Sequence, residues 1–129
     1  MLEVKIIPKR SESFKLIYVE GEILKLFGER IKGYFLIDTG ATLSIIHSNY
    51  SDFLRDTESI TLVGVTGQKK TKHGILDIEI GGSKFTIMNA VSSDFKPMKK
   101  GTYLGILGLD FLIENSCTIN LVENILHIN

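Results

Sequence analysis

At 129 residues, 43% of them hydrophobic, the chain has room for one domain around a single core and none for a two-lobed enzyme. Fifteen Lys and Arg balance fifteen Asp and Glu, so no basic excess argues for nucleic acid and no acidic surplus argues for a basic partner. A lone cysteine, Cys117, rules out an internal disulfide, and no apolar run reaches the length of a membrane span or forms a signal-peptide core, so the chain reads as soluble and cytoplasmic, without a membrane partner.

Leu2, Val4 and Ile6 alternate with Glu3 and Lys5, which predicts a half-buried strand that Pro8 ends. Phe14 to Leu26 predicts a longer strand, with Gly21 as a bulge or bend. Phe27-Gly28-Glu29-Arg30 reads as a turn, and Ile31 to Ile37 as a strand running into Asp38. Between His47 and Asp56, Tyr50, Phe53 and Leu54 are spaced at three and four, the spacing of a short helical turn. Ile60 to Val63 is again strand-like. The Gly-rich, polar segment 64–74 that follows reads as an exposed hairpin. Leu76, Ile78 and Ile80 alternate with Asp77 and Glu79, and Gly81-Gly82 signals a tight hairpin into a partner strand that runs to Val91. Ser92 to Thr102, with Pro97 and Gly101, reads as a surface loop. Tyr103 to Leu107 is a strand stopped at Gly108. Leu109 to Asn115 is a short helix with Leu109, Leu112 and Ile113 on one face. Cys117 to Leu121 and Ile125 to Ile128 are the last two strands. Many short strands, frequent turns and one or two short helices make an all-β barrel or sandwich in a single domain, 1–129.

Two stretches carry chemistry. In the first, residues 34–46, an apolar strand runs into Asp38-Thr39-Gly40-Ala41-Thr42. A buried strand has no reason to end in a carboxylate unless that carboxylate is paired or used. Gly40 allows a sharp turn and the close approach of another group. The plain alternative is a strand followed by an Asp-x-Gly turn. The second stretch is Ile106-Leu107-Gly108-Leu109-Asp110-Phe111-Leu112, two apolar residues and a glycine ahead of a helix. Asp110 there reads as a helix-start or loop hydrogen bond. His47, His73 and His127 have no metal-ligand spacing, and Cys117 has no supporting nucleophile motif and reads as a small hydrophobe. No metal and no cofactor is expected.

Asp-Thr-Gly-Ala, then a Gly-rich hairpin, then the apolar-apolar-Gly element is an order that resembles the retropepsin-like aspartic proteases, over roughly Leu16 to Ile128. The tail from Gly108-Leu109-Asp110 to Ile128 looks more like the cellular, DNA-damage-inducible-type members than the viral enzymes. Thr42 and Leu43 stand where viral enzymes often carry acidic residues. The resemblance implies a closed acid-protease barrel, active as a two-fold homodimer. It implies an aspartic endopeptidase in which Asp38 of each subunit activates a water against a peptide or protein substrate. By the same resemblance Thr39, Gly40, Ala41 and Gly108 support the active-site loop, and Gly64, Val65, Thr66 and Gly67 lie in the flap over the substrate. A catalytically weak or inactive dimeric peptide-binding module of the same fold is the alternative. A strand followed by Asp-x-Gly-x-Thr also resembles the phosphate loop of actin-like and sugar-kinase folds, but those need two lobes and helices that this length and strand content do not supply.

Overall fold

Period-two alternation governs most of the chain, and the strands it builds fall into two sheets. The structure is a computed structural model describing residues 1–11, 14–64, 67–94 and 102–129. Its strands are β1 (Leu2–Lys5), β2 (Ile7–Ser11), β3 (Phe14–Leu24), β4 (Arg30–Ile37), β5 (Ile45–His47), β6 (Arg55–Gly64), β7 (Gly67–Ile80), β8 (Ser83–Ser93), β9 (Tyr103–Leu107), β10 (Thr118–Asn120) and β11 (Ile125–Ile128). A 3₁₀ turn covers Ser48–Phe53, and the helix α1 covers Leu109–Glu114. The small sheet has the order β1-β11-β10 and the large one β2-β3-β4-β9-β5-β8-β7-β6. β7 also pairs with β3 over Glu22–Leu24. Among the described residues no helix is long and apolar enough to cross a membrane.

The alternating residues point where their pattern requires. Leu76, Ile78 and Ile80 are at most 1% exposed and meet Val19, Ile23, Phe35, Leu104 and Leu107 in the core. Burying each such side chain contributes about 1.5–3 kcal/mol. Gly81 and Gly82 both take positive φ, 59° and 82°, as the two-residue turn from β7 to β8 demands. Phe53 and Leu54, at the end of the 3₁₀ turn, are buried in the same core.

Three expectations are corrected. The first strand does not end at Pro8. It breaks at Ile6, and Pro8 lies within β2 opposite Ile17. β2 is the outermost strand of its sheet, where a residue without an N–H is tolerated. Gly21 makes no bulge, since β3 and β4 stay in register from Tyr18↔Leu36 to Leu24↔Arg30. It is a spacer instead: a Cβ there would stand 2.9 Å from Cε2 of Phe35 and 3.0 Å from the carbonyl oxygen of Glu79. In α1 the buried side chains are Phe111 and Leu112, while Ile113 is 71% exposed. The helix is too short for its spacing to fix a face, and Phe111 is drawn inward by edge-to-face packing on Phe85. The loop expected around Pro97 and Gly101 falls largely outside the described residues.

The hairpin of β6 and β7 is longer than the sequence suggests, because most of β6 is exposed and leaves no apolar trace. Its root is fastened by Arg55, whose Nε and Nη2 donate to Asp77 at 2.8 and 3.2 Å; Asp77 also accepts from the Thr86 hydroxyl at 3.0 Å. The Arg55 hydrogen bonds hold the Asp77 carboxyl below the usual carboxylate range, against the opposing effect of burial. A carboxyl lowered on folding stabilises the protein above its unfolded value, about 3.9, and the contribution disappears as pH falls through the lower folded value. Urea unfolding from pH 3 to 7 is expected to show stability falling below about pH 4. Arg55→Gln should flatten that acid limb.

Candidate active site

The site begins with two strand ends. β4 and β9 run parallel, with Ile37 opposite Leu107, so the residues that follow them, Asp38 and Gly108, emerge side by side. The Asp38 N–H donates to the Leu107 carbonyl at 3.1 Å. The chain then turns on its own carboxylate: the Gly40 N–H donates to Oδ1 of Asp38 at 2.8 Å, and the Ala41 N–H to the Asp38 carbonyl at 3.2 Å. This is an Asx-type turn, and it fixes the carboxylate by a backbone donor while the side chain stays half-exposed.

The far side of the loop is sewn to α1. The amides of Leu109 and Asp110 donate to the carbonyls of Ala41 and Thr42 at 2.8 and 3.2 Å. Gly108 is what lets the two segments approach. A Cβ there would lie 2.7 Å from the Ala41 oxygen and 2.8 Å from the Leu43 oxygen.

Ser44, only 1% exposed, holds this seam from inside. Its hydroxyl donates to Oδ1 of Asp110 at 2.7 Å and accepts the Gly108 N–H at 3.0 Å. Its amide donates to Oδ2 of Asp110 at 3.1 Å. Oδ1 of Asp110 also accepts the Phe111 N–H at 2.8 Å, but the helix cap is Gly108 without a side-chain cap bond, so of the two roles expected of Asp110 it takes the loop hydrogen bonds. Ser44 was not among the expected site residues. Its signal was there: one serine among Leu43, Ile45 and Ile46, and a hydroxyl in an apolar run needs a partner. Ser44→Ala removes one hydroxyl bond to Asp110 and strands the buried Gly108 N–H. It is expected to cost about 2–3 kcal/mol, measured by chemical denaturation.

The predicted residues divide into two groups. Asp38, Thr39, Gly40, Ala41 and Gly108 come together in one loop and its neighbour, with Thr39 and Gly40 exposed at the crest, Ala41 half-buried and Gly108 buried. Gly64 and Gly67 are apart from that seam. They face each other as the last described pair of the β6–β7 hairpin, and a Cβ on either would meet nothing within 4 Å. Val65 and Thr66 lie outside the described residues.

No group of three His, Cys, Asp or Glu that could hold a metal is found among the described residues. Nδ1 of His47 accepts the Asn49 N–H at 3.1 Å, capping the 3₁₀ turn; His73 lies 3.5 Å from Glu58, and His127 lies 3.8 Å from Glu3. Cys117 packs against the core, and burial pushes its thiol up, away from the nucleophilic thiolate. The Asp38 carboxylate is half-exposed and anchored by the Gly40 amide.

Residues 4–120 match the family described as retroviral aspartyl protease. Over 96 residues the sequence is 34% identical to the retrovirus-related Pol polyprotein from transposon 412 of Drosophila melanogaster, covering 70% of this chain and 7% of that polyprotein's length. The crystal structure of the retroviral protease-like domain of Ddi1 from Leishmania major aligns with a TM-score of 0.60 at 19% identity, over 87% of this chain and 86% of that one, a likeness of fold.

Proposed function

The chain belongs to the retropepsin-like aspartyl protease family, and from that premise we propose that it is an aspartic endopeptidase whose active centre is completed by a second copy of itself. The observation that carries this reading is the Asp38 carboxylate, held by the Gly40 amide at the paired ends of β4 and β9 and braced through Gly108. The chemistry needs two carboxylates and the loop supplies one, so a two-fold axis must bring Asp38 of each subunit together. As in aspartic proteases generally, two carboxylates about 3 Å apart cannot both be ionised and share one proton. The ionised member takes a proton from a water lying between them. The protonated member polarises the scissile carbonyl, and a proton then passes to the leaving nitrogen.

The rest of the chain has roles that fit. Thr39, exposed at the crest of the loop, reaches its counterpart across the axis and locks both carboxylates. Small residues at Gly40 and Ala41 let a peptide backbone approach. The β6–β7 hairpin folds over a peptide or protein substrate, excluding water and adding strand-like hydrogen bonds. The β3–β7 pairing supports a barrel closed through β3-β4-β9-β5-β8-β7. Zero net charge leaves self-association unopposed by repulsion.

Light scattering and a peptide-library digest read by mass spectrometry at several pH values test the proposal. A dimeric mass with discrete cleavage products is the expected result. A dimer that binds peptides and cuts none at any pH would make the chain a peptide-binding module of the same fold.

A further inference from the structure

Beside the Asp38 loop lies a cavity that the cleavage chemistry itself does not use. It is formed between β8 and α1, and Leu43 of that loop makes one wall. Its volume is about 70 Å³. One water fills about 10–15 Å³ of such space, so there is room for about five to seven heavy atoms. That is the size of one long side chain, far below the roughly 300–1,000 Å³ of sites that hold small molecules.

The lining combines aliphatic surface with acid. Ile87 and Phe111 are buried, with Phe111 edge-to-face on Phe85, while Leu43 and Met88 are 39% and 55% exposed. Asp110 and Glu114 supply two carboxylates, and none of the described lining residues is lysine, arginine or histidine. The two acids differ. Both oxygens of Asp110 already accept hydrogen bonds from Ser44. Glu114 has no ion pair or side-chain hydrogen bond among the described residues. It stands in the last turn of α1, one turn on from Asp110. There both the helix dipole and the like charge four residues earlier disfavour a carboxylate. No described cation of this chain offsets that placement. A cation from outside would.

Leu43 follows Asp38 by five residues, so this wall lies within about 18 Å of Asp38 even at full extension, and closer in the turned loop. A peptide bound as a strand advances about 3.3 Å per residue, which puts side chains out to about the sixth from the cut bond within range. We propose that the cavity is a subsite for one lysine or arginine side chain of the substrate, its aliphatic stem against Leu43 and Met88 and its charge at Glu114. The proposal rests on the endopeptidase reading above. The two-fold axis of that reading repeats the subsite, so one copy serves each side of the cut bond.

The test takes a cleaved peptide from the library digest, rebuilt with neutral side chains and a single Lys or Glu moved from the second to the sixth position on either side of the cut. At the best position kcat/KM is expected to favour Lys over Glu by about tenfold, mainly through KM, since attraction of one and repulsion of the other both count. Glu114→Gln should erase most of the difference and Glu114→Lys should reverse it. Glu123→Gln, which alters an exposed carboxylate outside the cavity, should leave it unchanged. The same peptides, labelled and titrated onto the Asp38→Asn chain, should rank by Kd in the same order when read by fluorescence anisotropy. A Lys-over-Glu preference that survives both Glu114→Gln and Glu114→Lys would overturn the subsite, and so would no preference at any position in either measurement. A chain that cuts no peptide overturns the endopeptidase reading instead, and anisotropy with Lys- and Glu-bearing library peptides then decides the subsite alone.

Discussion

Asp38→Asn is expected to lower peptide cleavage by about 10⁴-fold or more while leaving the fold and the dimer intact. The structural half of that expectation follows from the turn. Among the described residues only Oδ1 of Asp38 is engaged, by the Gly40 N–H at 2.8 Å, and the amide oxygen of asparagine accepts the same bond. Unfolding free energy should therefore stay within about 0.5 kcal/mol of the unaltered chain. The catalytic half follows from charge. Two amides cannot take a proton from water, and one amide with one carboxylate cannot both share and return a proton. A mixing experiment sharpens the test. When equal amounts of unaltered and Asp38→Asn chains exchange freely, about a quarter of the dimers carry two carboxylates, so activity from a fixed amount of unaltered chain should fall by about half. Initial rates on one good peptide measure both effects. An Asp38→Asn chain retaining more than about a tenth of the activity would remove this carboxylate from the chemistry.

The second large effect is expected from Gly108→Ala. The added methyl group would lie 2.7 Å from the Ala41 oxygen, 2.8 Å from the Leu43 oxygen and 2.9 Å from the Leu43 carbonyl carbon, all backbone atoms with no rotamer to escape into. The loop has to back away from α1, straining the Ala41–Leu109 and Thr42–Asp110 hydrogen bonds. A cost of about 2–4 kcal/mol is expected. Asp38 sits in the same loop, so activity should fall further than stability explains, by about 10²-fold for a displacement near 1 Å. Gly64→Ala, where the methyl group meets nothing within 4 Å, is the contrast and should leave stability within about 0.5 kcal/mol. Thermal melts beside cleavage rates separate the two consequences. A Gly108→Ala chain as stable and active as the original would mean that the seam does not set the carboxylate.

The sequence foreshadowed the site better than its supports. Asp38 was legible because a carboxylate closing an apolar strand demands a reason, whereas the packing role of Gly108 came only from the family resemblance. For Ser44 the need of a partner was visible but the partners were not, because Gly108 and Asp110 lie more than sixty residues downstream and no local pattern joins them. The buried strands were read from alternation, as Leu76, Ile78 and Ile80 illustrate. β6 was truncated at its start because a strand packed on one neighbour and open to solvent keeps polar residues on both faces. Pro8 and Gly21 misled for a common reason: each was given its local meaning, whereas sheet position decides it. At the edge of a sheet a missing N–H costs nothing, and between crowded strands a missing side chain is a spacer.

The parallel pairing of β4 with β9 joins Ile37 to Leu107, partners about seventy residues apart in the sequence. Closing a loop that long costs more chain entropy than closing the local hairpins of β6, β7 and β8. During synthesis the aspartate therefore lacks its scaffold until Leu107 has left the ribosome, whatever has folded before it. The loop that carries Asp38 can be assembled only once that distant strand end has been made.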